Sequence, residues 1–278
     1  MIIMRKYPKH YRIPHEAITV AYGKRYLDKK QLKNFLKLKD FVLLEKLDGS
    51  QFSFTLKNEI PYLQGKNSHI PQGDKRKAYE GVWGWAWQNL EKIRNGSDYQ
   101  FFGEWMKTQH NLPYDQLPDW VVIFDIYDKT KKKWLDTIKA LEVAEDLGFS
   151  TTPILYEGQL KYDDLLPLIH QKKSHFCSTH ILSETRFSVE EQNQILHPHV
   201  RGIPQNRFPD GTIYMEGGIF KSRQNLKFDE VKGNTYWQNA AKLVTKEFLA
   251  EFSDDSHWTS SRARFNRLAD WTEFEVET

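Results

Sequence analysis

The chain has 278 residues, enough for one large domain with a small appendage, and its 39% hydrophobic and 14% aromatic content supports a buried core rather than long disorder. A formal net charge of only +3 means that a nucleic-acid partner would need a local basic groove. The single cysteine, Cys177, excludes an intramolecular disulfide framework and a cysteine zinc cluster, and no apolar run is long enough for a signal peptide or a membrane span; the expectation is a soluble, cytoplasmic protein with no membrane partner.

Residues Lys6 to Pro14 contain two prolines and read as an extended entry arm. Leu32, Phe35 and Leu36, spaced by three and four, predict a short amphipathic helix within Lys29 to Lys39. The apolar run Phe41-Val42-Leu43-Leu44 and the alternating run Phe52 to Leu56 read as strands, with Asp48-Gly49 supplying turn residues between them. Lys46 therefore stands at the end of a buried strand. An ammonium group loses hydration there, so the position needs a reason.

Ile60 to Gln64 predicts a strand and Gly65-Lys66-Asn67-Ser68 a turn, followed by a charged loop at Lys75-Arg76-Lys77. Val82, Ala86, Leu90 and Ile93 predict one tryptophan-rich helix, whose Trp83, Trp85 and Trp87 are read as packing residues in preference to a base-stacking platform. Tyr99 to Met106 and Trp120 to Tyr127 are predicted strands, the latter the most hydrophobic of the chain, and Lys129 to Lys133 a solvated hairpin turn. A helix is expected from Ile138 to Leu147, a strand from Thr152 to Tyr156, and a short helix from Asp163 to Ile169.

His170, His175, His180, His197 and His199 fall in a stretch that is hard to read; Pro198 and the lack of carboxylate or cysteine partners argue against a transition-metal site there. Thr212 to Lys221 predicts a strand pair around Glu216-Gly217, and Ala240 to Leu249 completes the main body. Ser260 to Trp271 predicts a terminal helix carrying Arg262, Arg264 and Arg267, which either grips the phosphates of a partner or is a solvated face.

Singly these segments are weak signals. In order they read strand-Lys-x-Asp-Gly, Gly-Lys-Asn-Ser, Phe-Gly-Glu, a hydrophobic strand with Phe-Asp, Glu-Gly, then a late lysine. With these motifs, from Tyr7 to Leu249, the sequence resembles the covalent nucleotidyltransferase superfamily of polynucleotide ligases and capping enzymes, and most of all the phage-type ATP-dependent RNA ligases. The resemblance implies an α+β fold: an adenylation domain over 1–250 of two packed antiparallel sheets flanked by helices, and a short helical tail over 251–278.

It also implies roles. Lys46 matches the lysine that attacks the α-phosphate of ATP and becomes lysyl-AMP; Glu45 matches a residue near adenine, and Asp48-Gly49 the turn beside the ribose. Lys66 stands where such ligases usually carry an arginine, and a lysine lacks the bidentate fork. Glu104 matches an acid near the ribose, Phe124 the ring that stacks on adenine, and Glu216 the acid that holds magnesium or manganese. Lys242 is the best match to the late phosphate lysine, with Lys227 and Lys232 as rivals, because Ala240 and Val244 interrupt the usual Lys-x-Lys.

The chemistry asks for these residue types independently of family. Nucleotidyl transfer depends on positioning and on neutralising charge at phosphate oxygens, which lysines and a hard cation on one or two carboxylates supply. A second lysine near Lys46, either Lys242 or Lys221, would lower its pKa by like-charge repulsion. Ser50 and Gln51 after the glycine look more like RNA ligases than DNA ligases, and about thirty residues after Leu249 are too few for an oligonucleotide-binding barrel. The expected partners are ATP and RNA with 5′-phosphate and 3′-hydroxyl ends. A DNA ligase, a capping-type guanylyltransferase and a non-enzymatic nucleic-acid-binding protein are the alternatives.

Overall fold

The computed structural model describes residues 4–14, 25–177, 214–223, 239–245, 248 and 265–269. Among these, the strands form two sheets that face one another. The first has the order β1 (Tyr11–Arg12), β11 (Ala240–Val244), β10 (Gly217–Ser222), β2 (Phe41–Glu45), β9 (Ile154–Gly158). The second has the order β4 (Ile60–Gly65), β3 (Ser50–Lys57), β5 (Tyr99–Trp105), β6 (Val121–Asp128), β7 (Lys133–Trp134), and β8 (Ser150–Thr151) also pairs with β6. Pairing is antiparallel except for β1 with β11 and β6 with β8. The expected α+β class with two sheets flanked by helices is the observed one.

Alternation along each strand sorts side chains between an outer core and an inner cleft. In β2, Phe41 and Leu43 pack outward with Phe35, Ile169, Phe220 and Leu243, beneath helix α1 (Lys29–Phe35). Val42 and Leu44 point inward, against Ile219 and Phe124. Covered on both faces, β2 reads as an unbroken apolar run. In the second sheet Phe52, Phe54, Phe101 and Trp105 pack outward on α2 (Val82–Gln88), α3 (Leu90–Asn95) and α4 (Thr137–Asp146), through Trp85, Ala86, Ile93, Ala140 and Ala144. Trp85 is a packing residue as expected, with its indole Nε1 donating to Asp119 at 3.0 Å, but Trp87 stands exposed.

Five elements differ from expectation, one of them the helix read from Asp163 to Ile169, where only a 3-10 turn over Tyr162–Asp164 forms before a run of turns. Asp48-Gly49 does not close a hairpin, because β2 and β3 belong to different sheets and residues 46–49 carry the chain between them. Gly49 is required at this crossing: a Cβ there would lie 2.6 Å from Met106 Sδ and 2.8 Å from the Trp105 carbonyl. The tryptophan helix is broken at Asn89, whose side chain takes the Trp85 carbonyl at 2.9 Å. Among the described residues around Glu216-Gly217, Gly217–Ser222 is the strand and Tyr214 makes a single bridge to Lys173; Thr212 and Ile213 lie outside them. In the tail, residues 265–269 form no helix; Phe265 and Leu268 bridge to Thr108 and Leu117, and Asn266 exchanges hydrogen bonds with the Met106 carbonyl (2.6 Å) and the Tyr114 amide (3.0 Å). Arg262 and Arg264 lie outside the described residues. No helix among the described residues is long and apolar enough to cross a membrane.

Candidate active site

A cleft of about 890 Å³ opens between the inner faces of the two sheets. Lys46 continues the inward phase of Val42 and Leu44, so its side chain enters this cleft rather than the outer core. Its backbone amide donates to the Gly217 carbonyl at 2.9 Å, which anchors the end of β2 against β10. The same pairing delivers Glu216, whose Oε2 accepts from Lys46 Nζ at 2.5 Å. Gly217 permits the approach, since a Cβ would stand 2.1 Å from the Leu243 carbonyl oxygen.

The electrostatics of this pair correct one expectation. Burial alone would lower the Lys46 pKa, but attraction from Glu216, Glu104 and Asp48 outweighs it and raises the value. Burial also pushes Glu216 toward its acid form, yet the short contact with an ammonium makes the ion pair the state we assign. The depressed lysine is Lys242, lowered to about 8 by burial and then by repulsion from Lys46. Lys242 reaches the cleft because its β11 neighbours Ala241 and Leu243 take the outer face. Lys227 and Lys232, the rival late lysines, lie outside the described residues.

From the second sheet come Glu104 and Phe124, both lining the cleft. Burial pushes Glu104 up to about 8 against the pull of Lys46, and its Oε2 is buried without a hydrogen-bond partner. Phe124 is the one residue of β6 that is not fully buried; its ring meets Tyr7 edge-on at 4.9 Å. Lys66 lies exposed at the rim, in the 65–68 turn closed by a 2.9 Å bond from the Gly65 amide to the Ser68 carbonyl.

Three other candidates are engaged elsewhere. The Glu45 carboxylate takes the outer phase of β2, where Ser174 Oγ donates at 2.5 Å and His175 approaches through its amide (3.0 Å) and Nδ1 (3.1 Å). Asp48 accepts from the Asn111 and Leu112 amides at 2.8 and 3.0 Å, pinning the loop after β5 behind the Lys46 crossing. Lys221 is 4% exposed, paired with Asp125 at 2.8 Å and donating to the Phe124 carbonyl at 3.0 Å. It ties the two sheets together beneath the cleft.

The structure also brings in residues that no motif marked. Arg12 and Lys242 are paired across β1 and β11, and Arg12 Nε and Nη1 are buried without hydrogen-bond partners. His10, in the same arm, lines the cleft with its pKa held well below the ordinary value by burial and by Lys221, Lys242 and Lys46. His110 Nε2 lies 3.0 Å from Ser50 Oγ, with Nδ1 4.0 Å from Asp48. The arm reaches the cleft by pairing with a strand some 230 residues later, so no local spacing could signal it.

The model of the RNA ligase family matches residues 39–244, a span that runs from the approach to β2 to the end of β11. The chain belongs to the RNA ligase family. No curated protein matches its sequence. Among solved structures it is similar to the Naegleria gruberi RNA ligase with ATP and manganese, at a TM-score of 0.53 and 17% identity, covering 88% of this chain and 61% of that one. It is also similar to the same ligase with pyrophosphate, at 0.51 and 18%, covering 91% and 64%. At these identities the likeness is one of fold. The chain spans about three fifths of the length of these ligases.

Proposed function

We propose that this RNA ligase family member is an ATP-dependent enzyme that joins RNA 5′-phosphate and 3′-hydroxyl ends through Lys46. The observation that carries the reading is the Lys46 amine, held at 2.5 Å by Glu216 in a cleft that also receives Lys242 and Phe124. In the first step Lys46 Nζ, once its proton has left, attacks the α-phosphorus of ATP; an N–P bond forms and pyrophosphate departs. AMP then passes to the RNA 5′-phosphate, and the 3′-hydroxyl displaces AMP to form the phosphodiester. Lys242 stabilises charge on the phosphate oxygens, and the Phe124 ring offers a stacking face for adenine. Asp48 holds the turn that aims Lys46.

The acids fit a hard divalent cation. Glu104 Oε2 is a buried oxygen without a partner, and Glu104 and Glu216 both act on Lys46 in one charge cluster. Magnesium or manganese, held by Glu216 and Glu104 together with substrate oxygens and water, would supply neutralisation of phosphate charge. No set of three ligating side chains occurs among the described residues, in keeping with an ion that takes only one or two protein carboxylates. The Naegleria gruberi ligase was captured with ATP and manganese, ligands of the kind this reading requires.

The test is to incubate the protein with labelled ATP or labelled GTP, then with nicked or single-stranded RNA and the matching DNA. Label from ATP and joined RNA are the expected results. Label from GTP alone, or joining confined to DNA, would replace this reading with a guanylyltransferase or a DNA ligase.

A further inference from the structure

The rim of the cleft continues into an exposed surface that the adenylylation chemistry does not use. On β4, an edge strand of the second sheet, Tyr62 pairs with Thr55 and Gln64 with Ser53. Paired residues share a face, and Phe54 and Leu63 take the opposite, core side. Tyr62 therefore stands on the sheet face that carries Gln51 and Glu104 into the cleft. After the turn at Lys66 and Asn67, both rim residues, the chain folds back so that His69 bridges to Gln64. The His69 and Tyr62 rings meet at 4.4 Å with a 31° tilt, and His69 is exposed.

Cations flank the ring pair. Lys57 Nζ lies 5.1 Å from the Tyr62 centroid. Arg76 is fixed by both Asp74 oxygens (2.6–2.9 Å), by Ser68 Oγ (3.1 Å) and by the His69 carbonyl (3.2 Å). Its guanidinium lies 5.0 Å from the ring of Tyr79, a residue that lines the cleft and whose hydroxyl donates to the Gln51 carbonyl at 3.1 Å. The side chain is nonetheless 43% exposed. An exposed arginine held this firmly has lost most of its conformational freedom before any ligand arrives. The strip thus runs from Tyr79 through Arg76 and His69 to Tyr62 and Lys57, with Asp74 as the acid engaged within it.

Rings interleaved with fixed cations match unpaired nucleotides, whose bases stack and whose phosphates need positive partners. Paired bases in a duplex hide those faces. We infer that the Tyr62–His69 pair and Arg76 form a shelf for single-stranded RNA, seating nucleotides next to the end held in the cleft. A base stacks on the open face of His69, and Arg76 meets a neighbouring phosphate. The inference rests on the RNA-joining reading above, which supplies the strand.

The test measures binding of a fluorescent single-stranded oligoribonucleotide of about ten nucleotides by anisotropy, alongside AMP uptake from ATP. His69→Ala should weaken RNA binding about tenfold, the scale of one lost base stack, while His69→Phe retains it and AMP uptake stays at the wild-type level. Arg76→Gln should reduce the slope of log affinity against log salt by about one. Undiminished RNA affinity in His69→Ala, or a loss that His69→Phe shares, overturns the shelf while leaving the ligase reading intact. A loss confined to duplex RNA overturns it too. Failure of the wild-type protein to take up AMP would remove the ligase reading itself, and the shelf with it.

Discussion

The two sheets divide the work unequally. The second sheet turns Phe52, Phe54, Phe101 and Trp105 into an aromatic core against three helices and gives the cleft Glu104 and Phe124. The first sheet carries Lys46 at the end of β2, Lys221 on β10 and Lys242 on β11, with Glu216 just ahead of β10. Buried charges cost folding free energy unless they are paired. The first sheet bears most of that cost, the second adds the unpartnered Glu104, and the apolar cores packed outside both sheets offset it.

Substitutions that separate these roles rank by expected effect. Lys46→Ala should abolish AMP uptake while the protein still folds; residual uptake in a gel assay would move the nucleophile elsewhere. Lys242→Met should slow AMP uptake about a hundredfold, the loss typical of one charge-stabilising group, with a melting midpoint at neutral pH that rises, since the buried charge costs the fold. Lys221→Met should behave the other way round. Breaking a buried pair strands Asp125 and costs about 3–5 kcal/mol, so denaturant melts should shift far more than the adenylylation rate of the folded fraction. Phe54→Ala in the second sheet should lose a similar about 3–5 kcal/mol with AMP uptake per folded molecule retained. If Lys221→Met instead left stability intact and removed activity, the division drawn within the first sheet would fail.

The smallest effect concerns pH. The raised Glu104 value means that stability falls as pH climbs from near 4.5 to about 8, since the folded state favours the acid form. The lowered Lys242 value means that stability falls as pH drops from 10.5 toward about 8. The two arms meet near pH 8, where the charge cluster costs the fold most. Glu104→Gln should flatten the acid-side arm, raising the midpoint at pH 8 relative to wild type by roughly 3 °C. An unchanged pH profile would return Glu104 to an ordinary ionised state.

Much of this was legible in the chain, and for physical reasons. Strand periodicity and apolar runs marked β2, β3, β5 and β6, and the helix stop at Gly148 closed α4. Chemistry-bearing motifs named Lys46, Glu104, Phe124, Glu216 and Lys242, all of which converge on one cleft or its charge cluster. What spacing does not encode is which sheet a strand joins. That ambiguity hides that the Asp48-Gly49 turn carries the chain from one sheet to the other. It also left unsettled that Glu45 faces outward to Ser174 while Lys46, one residue on, faces inward. Nor does sequence order show that His10 and Arg12 reach Lys242, because their contact depends on β1 pairing with the last strand. The raised Lys46 pKa runs against expectation for a related reason: three carboxylates that sequence order does not bring together outweigh the effect of burial.

The most direct test of the central claim is intact-protein and peptide mass spectrometry after incubation with ATP and magnesium, on folded protein first shown to be free of bound AMP. One added AMP is expected, located on Lys46 and discharged when RNA bearing a 5′-phosphate is supplied. An unmodified Lys46, or AMP attached to another residue, would contradict it.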